Sequence, residues 1–476
     1  MVDLVPQNEI PICVDLDGSL VRSDTLLEGL LILIKSKPWL LLILPLILLQ
    51  GRLKFKQWIS AQTQINPESL PFHEPLLSWL RQQKVQGRRL VLATASIQSV
   101  ADQVAGHVGI FDEVIASQRV NLKAAQKADA LVQRFGEKGF DYVGNSKDDL
   151  AVWRHARQAI AVQVSNQVLA QIPSSHAPMI FARESSIMKQ IWRSLRPHQW
   201  AKNGIILIPV LMAHRFFQMD EWLKCLWAFC SFSLTASSVY VLNDLLDLES
   251  DRKHATKKKR PFASGQLSLS AGLALVPALL MLSSIFAVFL PFRFFGVLGL
   301  YFFFTMFYSF WLKSQILLDV LALALLYTMR LLAGKMACDV PISFWLLTFS
   351  LFLFFSLALV KRYSELMQKR KEHQMQAHGR GYHVEDMVML MIFGVTSALT
   401  SVLVLALYIN STQVRIWYHR PEWLWPMVPV MLYWVSRIWV LGHRGLMHED
   451  PVLFALRDRV SWTVIMLLAL TLIVAL

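Results

Sequence analysis

Hydrophobic side chains make up 55% of the 476 residues, with 16 Trp and 28 Phe, and the mean hydropathy is +0.42. This balance excludes a purely water-soluble chain and indicates an integral membrane protein. The formal charge of +14 raises nucleic acid as a partner. The basic residues, however, cluster in loops beside apolar spans, a placement that anionic headgroups or phosphorylated substrates explain better.

Residues 1–170 read as an α/β domain. Short apolar runs at Ile10–Leu16, Arg89–Ala95 and Asp141–Gly144 alternate with helical patterns such as Leu122–Phe135. That alternation implies a parallel sheet with its site at the carboxyl ends of the strands. The N-terminus carries Asp3, Gln7, Asn8 and Glu9 rather than a basic leader, so this domain is expected to stay in the cytoplasm. Leu26–Leu49 opens an insertion of about 26–60, very apolar but broken by Lys35, Lys37, Pro38 and Pro45. Its uninterrupted runs are too short to span a bilayer. It is expected to lie in or on the membrane face, with a buried helical cap as the alternative. The four cysteines, Cys13, Cys225, Cys230 and Cys338, have no metal-type spacing and imply no disulfide framework.

Residues 171–190, with Pro173, Ser174, Ser175 and Pro178, read as a linker to a membrane domain over 191–476. Nine apolar segments follow, at about 203–214, 222–242, 270–291, 294–312, 316–334, 342–360, 386–409, 422–441 and 460–476. With the N-terminus inside, the cytoplasmic gaps hold 16 basic residues and the outer gaps 5. The positive-inside rule therefore puts the loop after the second segment in the cytoplasm.

Two stretches carry chemistry. In the first domain, Asp15-Leu16-Asp17-Gly18-Ser19 follows an apolar strand. Thr94 ends a second strand, Lys127 lies in a helical pattern with Lys123 as runner-up, and Gly144-Asn145-Ser146-Lys147-Asp148-Asp149 closes a third. This series resembles the motifs of the haloacid dehalogenase (HAD) superfamily. The resemblance implies that Asp15 attacks phosphorus and Asp17 acts as acid then base. It implies that Thr94 and Lys127 hold the phosphoryl group, and that Asp15, Asp17, Asn145 and Asp149 bind Mg²⁺. Asn145 stands where that family usually has aspartate, which removes a negative ligand and leaves Asp149, with Asp148 as a second candidate, to compensate. A degenerate docking domain is the alternative.

The second stretch, Asn243-Asp244-Leu245-Leu246-Asp247-Leu248-Glu249-Ser250-Asp251, closes the apolar run Trp222–Leu242. On a helix Asn243, Asp244, Asp247 and Asp251 fall within an arc of roughly 100°. Carboxylates so placed repel one another unless a cation sits between them, and Mg²⁺ with substrate phosphates fits that need. With Arg260-Pro261-Phe262-Ala263-Ser264-Gly265, the stretch closely resembles the first aspartate motif of the UbiA superfamily of membrane prenyltransferases. In that family the motif binds a diphosphate through Mg²⁺. The second aspartate motif of the aromatic prenyltransferases is missing; Lys361-Arg362-Tyr363-Ser364-Glu365 stands in that loop.

Lys361 and Arg362 suit a phosphate. With Lys202, Tyr308, Lys313, Asp319, Arg330 and Glu365, they make the set look like the polyprenyl-phosphate phosphoribosyltransferase branch. Arg330 lies well inside an apolar run and needs a partner, either a carboxylate or a substrate phosphate; Asp319 is the nearest acidic candidate in its segment. Positive-inside anchoring is the alternative for each single basic residue. His443, His448, Asp450 and Asp458 form a polar last loop with no assigned role.

The resemblances imply a bifunctional enzyme of the bacterial inner membrane, with its sites on the cytoplasmic side. It would move phosphoribose from phosphoribosyl pyrophosphate to a polyprenyl phosphate, and the HAD domain would remove the 5-phosphate of the product. Alternatives are transfer of a prenyl group from a polyprenyl diphosphate to an aromatic acceptor, and a lipid-binding scaffold with decayed sites. Mg²⁺ is the implied cofactor, and no nucleic acid is expected.

Overall fold

The computed structural model describes residues 10–172, 178–215, 217–371, 381–447 and 450–476, with the side chains of 413 and 415 left aside. Pro173, Ser174 and Ser175 of the expected linker and His448 of the last loop lie outside the described residues. The chain forms two compact units. One is Met1–Leu195 with Tyr240–Pro277; the other is Arg196–Val239 with Ala278–Leu476.

The first unit contains a six-stranded parallel sheet. Its strands are β1 (Ile12–Val14), β2 (Leu90–Ile97), β3 (Glu113–Ser117), β4 (Asp141–Gly144), β5 (Gln158–Val162) and β6 (Met179–Phe181), ordered β3-β2-β1-β4-β5-β6. Alternate residues serve opposite faces. Ile12, Val14, Leu90, Leu92, Val143 and Ile160 join one buried cluster, while Cys13, Val91, Ala93, Tyr142, Ala159 and Ala161 join another. Both faces are covered, which is why the strands read as continuous apolar runs. β6 falls within the stretch expected as linker: Met179–Phe181 is too short to read as a strand, but it pairs with β5.

Six helices matter for the site: α1 (Thr25–Ser36), α2 (Leu44–Leu49), α3 (Arg52–Gln62), α4 (Glu74–Val85), α5 (Gln98–Val108) and α6 (Ala125–Phe135). α1 starts where the Asp24 side chain accepts the Leu27 N–H, and it stops before Pro38. It packs on α3 at Gly29, where a Cβ would come within 2.9 Å of Ile59 Cγ2. Between them, Pro38–Leu42 is a 3₁₀ turn, and neither it nor α2 buries a residue. Trp39, Leu42 and Leu49 are 64%, 84% and 85% exposed. The insertion therefore divides: α1 and α3 cover the sheet domain, and 38–49 presents an apolar edge.

Among the described residues, seven helices are long and apolar enough to cross a membrane. They are Met219–Leu246, Leu269–Ala287, Phe292–Phe310, Leu318–Cys338, Phe344–Lys371, Val384–Ile409 and Pro421–His443. Pro451–Arg457 with Arg459–Ala475 makes an eighth if a bend of 83° is counted within one span. The count falls short of the expected nine because 203–214 forms no helix of spanning length and the last segment is bent. Pro197–Leu207 is 3₁₀, with Lys202 and Asn203 buried, and the following helix ends after Ile208–Met212.

In the second unit, small residues let helices close on each other. A Cβ at Gly394 would lie 1.9 Å from Trp439 Cζ2, and one at Gly334 would lie 2.1 Å from the Ile206 carbonyl oxygen.

Candidate functional site

The motif residues of the sheet domain leave three adjacent strands. Asp15 and Asp17 follow β1, Thr94 lies on β2, and Asn145 and Asp149 follow β4. β1 lies between β2 and β4, so these carboxyl ends form the crevice where a doubly wound sheet binds ligands. Lys127, from α6, donates to Asp15 Oδ1 at 2.7 Å and to the Tyr142 hydroxyl at 2.9 Å. Tyr142 donates onward to Asp149 Oδ1 at 2.8 Å. The other Asp149 oxygen accepts from Asn145 N, Ser146 N and Ser146 Oγ, each at 3.0 Å.

Asp17 accepts the Thr25 N–H at 2.7 Å and the Ser96 hydroxyl. The Thr94 hydroxyl accepts the Ser96 N–H at 3.0 Å. Gly18 has φ +81°, and a Cβ there would lie 1.8 Å from Asn145 Nδ2, so the Asn145 amide rests directly against the first motif. Lys123 and Asp148 instead form an ion pair at 3.0 Å, both about half exposed. Of the alternatives read from sequence, Lys127 and Asp149 are the two that face Asp15.

Burial pushes the Asp15 carboxyl up to about 7, against the pull of Lys127 and helped by Asp149 and Asp17. A bound cation would favour its charged form. Beside this site lies a cleft of about 560 Å³ lined by Thr25, Leu26, Ile32, Lys56, Ser96 and Ile97. α1 and α3 roof it.

The acidic stretch shares that compact unit. The Met219–Leu246 helix ends at Leu246 and a short helix, Leu248–Lys253, resumes after Asp247, yet the Asp247 and Asp251 N–H groups still bond four residues back at 2.9 Å. The helical register expected from sequence therefore survives the break. Arg260 Nη1 donates to Asp244 Oδ1 at 3.0 Å and to Asp251 Oδ2 at 2.6 Å. Asp244 and Asp251 are both buried, whereas Asp247 is partly exposed and meets Lys35 Nζ at 2.6 Å. Asn243 is half-buried at the same helix end.

The second unit holds a buried polar network. Asp450 accepts from Lys202 at 2.8 Å, Lys361 at 3.1 Å and the Tyr327 hydroxyl at 3.1 Å. Arg362 is fully buried, 2.6 Å from Asp319 and 2.8 Å from Glu365, with the Tyr308 hydroxyl at 3.4 Å. Tyr382 also donates to Asp319. Arg330 donates to Asn203 Oδ1 at 2.9 Å and lies over the rings of Phe232, Tyr301 and Tyr327.

Asp319, the acidic candidate read for Arg330, pairs with Arg362 instead. Arg330 and Asp319 stand eleven positions apart on one helix, about 16 Å of rise, and aromatic faces with an amide take the carboxylate's place. Lys313 is partly exposed after the Phe292–Phe310 helix. Asp450 had been left without a role. Its partners lie 89 and 248 residues away, and no local pattern could have pointed to them.

Among the described residues, no three His, Cys, Asp or Glu side chains converge on a metal position. Several of the acidic groups are instead paired with a cation of the chain: Lys127 at Asp15, Arg260 at Asp244 and Asp251, Lys35 at Asp247. The donors at both sites are carboxylate and amide oxygens, without thiol or imidazole, a hard set that suits Mg²⁺.

The UbiA prenyltransferase family profile matches residues 205–457, over half of the chain, and the chain belongs to this family. It is an integral, multi-pass membrane transferase, and its first unit carries a six-stranded parallel-sheet domain. The uncharacterized protein y4nM of Sinorhizobium fredii is 34% identical over 471 residues, 98% of this chain and 91% of that one. Nodulation protein NoeC of Azorhizobium caulinodans is 36% identical over 284 residues, 58% of this chain and 90% of NoeC. Decaprenyl-phosphate phosphoribosyltransferase of Mycolicibacterium smegmatis is 33% identical over 185 residues, 38% of this chain and 58% of that enzyme.

Proposed function

We propose that the chain transfers phosphoribose from phosphoribosyl pyrophosphate to a polyprenyl phosphate, and that its HAD-type domain then removes the 5-phosphate. In this reading residues 1–170 are the phosphatase, 171–190 the linker and 191–476 the transferase. Both sites face the cytoplasm at a bacterial inner membrane.

The observation that carries the transfer reading is the pair of lysines on one buried carboxylate: Lys202 and Lys361 share Asp450. A lipid phosphate, with more charge and more acceptor oxygens than the single carboxylate of an aromatic acceptor such as 4-hydroxybenzoate, is the better match to two ammonium groups. The similarity to a decaprenyl-phosphate phosphoribosyltransferase supports the same acceptor.

Asn243, Asp247 and Asp251 would hold Mg²⁺, with Asp244 and Arg260 organising the loop. When bound, the ion neutralises the leaving pyrophosphate. The acceptor phosphate oxygen attacks the anomeric carbon, the bond to pyrophosphate breaks, and polyprenyl-phosphoryl 5-phosphoribose results. Lys202 and Lys361 orient the acceptor. Arg330, Tyr308, Lys313, Asp319, Arg362 and Glu365 shape and stiffen the polar interior around it.

In the HAD-type domain, Asp15 attacks the 5-phosphate and Asp17 protonates the leaving ribose oxygen. Water activated by Asp17 then hydrolyses the aspartyl-phosphate and frees inorganic phosphate. Thr94 and Lys127 bind the phosphoryl oxygens, and Asn145 and Asp149 complete the Mg²⁺ site with Asp15 and Asp17.

Membranes holding the protein, incubated with radiolabelled phosphoribosyl pyrophosphate and polyprenyl phosphate, should yield labelled lipid. Prenylation of 4-hydroxybenzoate from a polyprenyl diphosphate, with phosphoribosyl pyrophosphate ignored, would overturn the reading.

A further inference from the structure

α1 touches both acidic motifs of its unit. At its first residue, the Thr25 N–H donates to Asp17 Oδ1 at 2.7 Å, and the Thr25 hydroxyl is 2.8 Å from Ser96 Oγ. One turn later Glu28 accepts from both terminal nitrogens of Arg252, at 2.5 and 3.2 Å, with the side chains only 6% and 8% exposed. Lys35 follows seven residues on, which returns it to the same face of the helix. Its Nζ lies 2.6 Å from Asp247 Oδ1. The buried Glu28–Arg252 pair anchors the helix, so the reach of Lys35 to Asp247 follows from a fixed element.

Stability does not account for this second pair. Lys35 and Asp247 are 45% and 28% exposed, and ion pairs so open contribute little to folding. What the contact does is put an ammonium with three donors at a carboxylate of the diphosphate motif. Asp244 and Asp251 already share Arg260, which leaves Asp247 as the partly exposed aspartate of the three.

We propose that Lys35, contributed by the N-terminal domain, is a diphosphate-binding residue of the transferase. This rests on the reading of Asn243–Asp251 as the Mg²⁺–diphosphate motif. Without metal, Lys35 neutralises Asp247. With metal bound, Asp247 turns its charge to the cation, and Lys35 donates to a diphosphate oxygen.

The test needs no turnover. Magnesium pyrophosphate is titrated calorimetrically into the full-length protein in detergent, for wild type, Lys35→Gln, Lys35→Arg and Asp247→Ala. Losing one charge-assisted contact should weaken binding to Lys35→Gln by roughly tenfold or more, and Lys35→Arg should stay close to wild type. Mn²⁺ alone, followed by electron paramagnetic resonance, should bind Lys35→Gln more tightly than wild type, because a competitor for Asp247 is gone. If Asp247→Ala binds magnesium pyrophosphate like wild type, the motif reading itself fails. If Asp247→Ala loses binding while Lys35→Gln matches wild type, the role of Lys35 is overturned.

Discussion

Lys361 and Arg362 are neighbours in sequence with different work. Arg362 is enclosed by Asp319, Glu365 and Tyr308, and its guanidinium has no face left for a ligand of comparable charge. Lys361 is partly exposed and shares Asp450 with Lys202, an arrangement that a second anion can enter. Arg362→Ala strands Asp319 in the interior, and breaking a buried pair costs about 3–5 kcal/mol. Its thermal unfolding midpoint in detergent should fall sharply. Lys361→Ala should keep the midpoint and raise the apparent KM for polyprenyl phosphate roughly 10- to 150-fold, with a smaller effect on phosphoribosyl pyrophosphate. An unchanged KM in that variant would remove Lys361 from the acceptor site. Asp247→Ala, which deletes a metal ligand at a polar helix end, should retain expression and lose transfer; activity above about a tenth of wild type would contradict its role.

At the scale of elements, close packing sets some of the firmest expectations. Gly334 faces the carbonyl oxygen of Ile206, a backbone atom that cannot swing aside, so Gly334→Ala should destabilise by about 1–3 kcal/mol through overpacking. A thermal midpoint equal to wild type would show that the Pro197–Leu207 segment yields. The apolar edge at 38–49 should rest in lipid: a nitroxide at Leu49→Cys should be more accessible to oxygen than to a water-soluble nickel complex.

These elements also mark how far sequence could be read. β1, β2 and β4 were legible because each pairs an apolar run with a motif at its carboxyl end. β3, β5 and β6 were not, since Glu113–Ser117, Gln158–Val162 and Met179–Phe181 carry no motif at their ends. Hydropathy read 203–214 as one apolar segment, whereas 3₁₀ turns run to Leu207 and the next helix ends at Met212. The motif residues were picked out by their resemblance to the motifs of two known families. Asp450, Lys35, Tyr142 and Ser96 were missed because their partners are distant in sequence.

For the whole molecule, the proposed function gives the fusion a kinetic meaning. On that proposal the product of transfer would be a lipid with a 5-phosphate, and the phosphatase that consumes it would be tethered to the enzyme that makes it. Tethering raises effective concentration only if the second site reaches the product before it diffuses away in the bilayer. Asp15→Asn keeps the shape of the first motif without its nucleophile and should accumulate polyprenyl-phosphoryl 5-phosphoribose while transferring normally. Continued phosphate release from that lipid would exclude Asp15 as nucleophile. Mixing Asp15→Asn with Asp247→Ala in one vesicle preparation supplies both activities on separate chains. Relative to wild type with equal numbers of working sites, the mixture should show a lag in phosphate release and a transient of the phosphorylated lipid. The lag should shorten as protein density in the vesicles rises, because encounter between separate chains is then faster. Wild type should show no such dependence. Identical time courses for mixture and wild type at every density would mean that the lipid equilibrates freely, and that the fusion secures equal amounts of two enzymes rather than transfer between them.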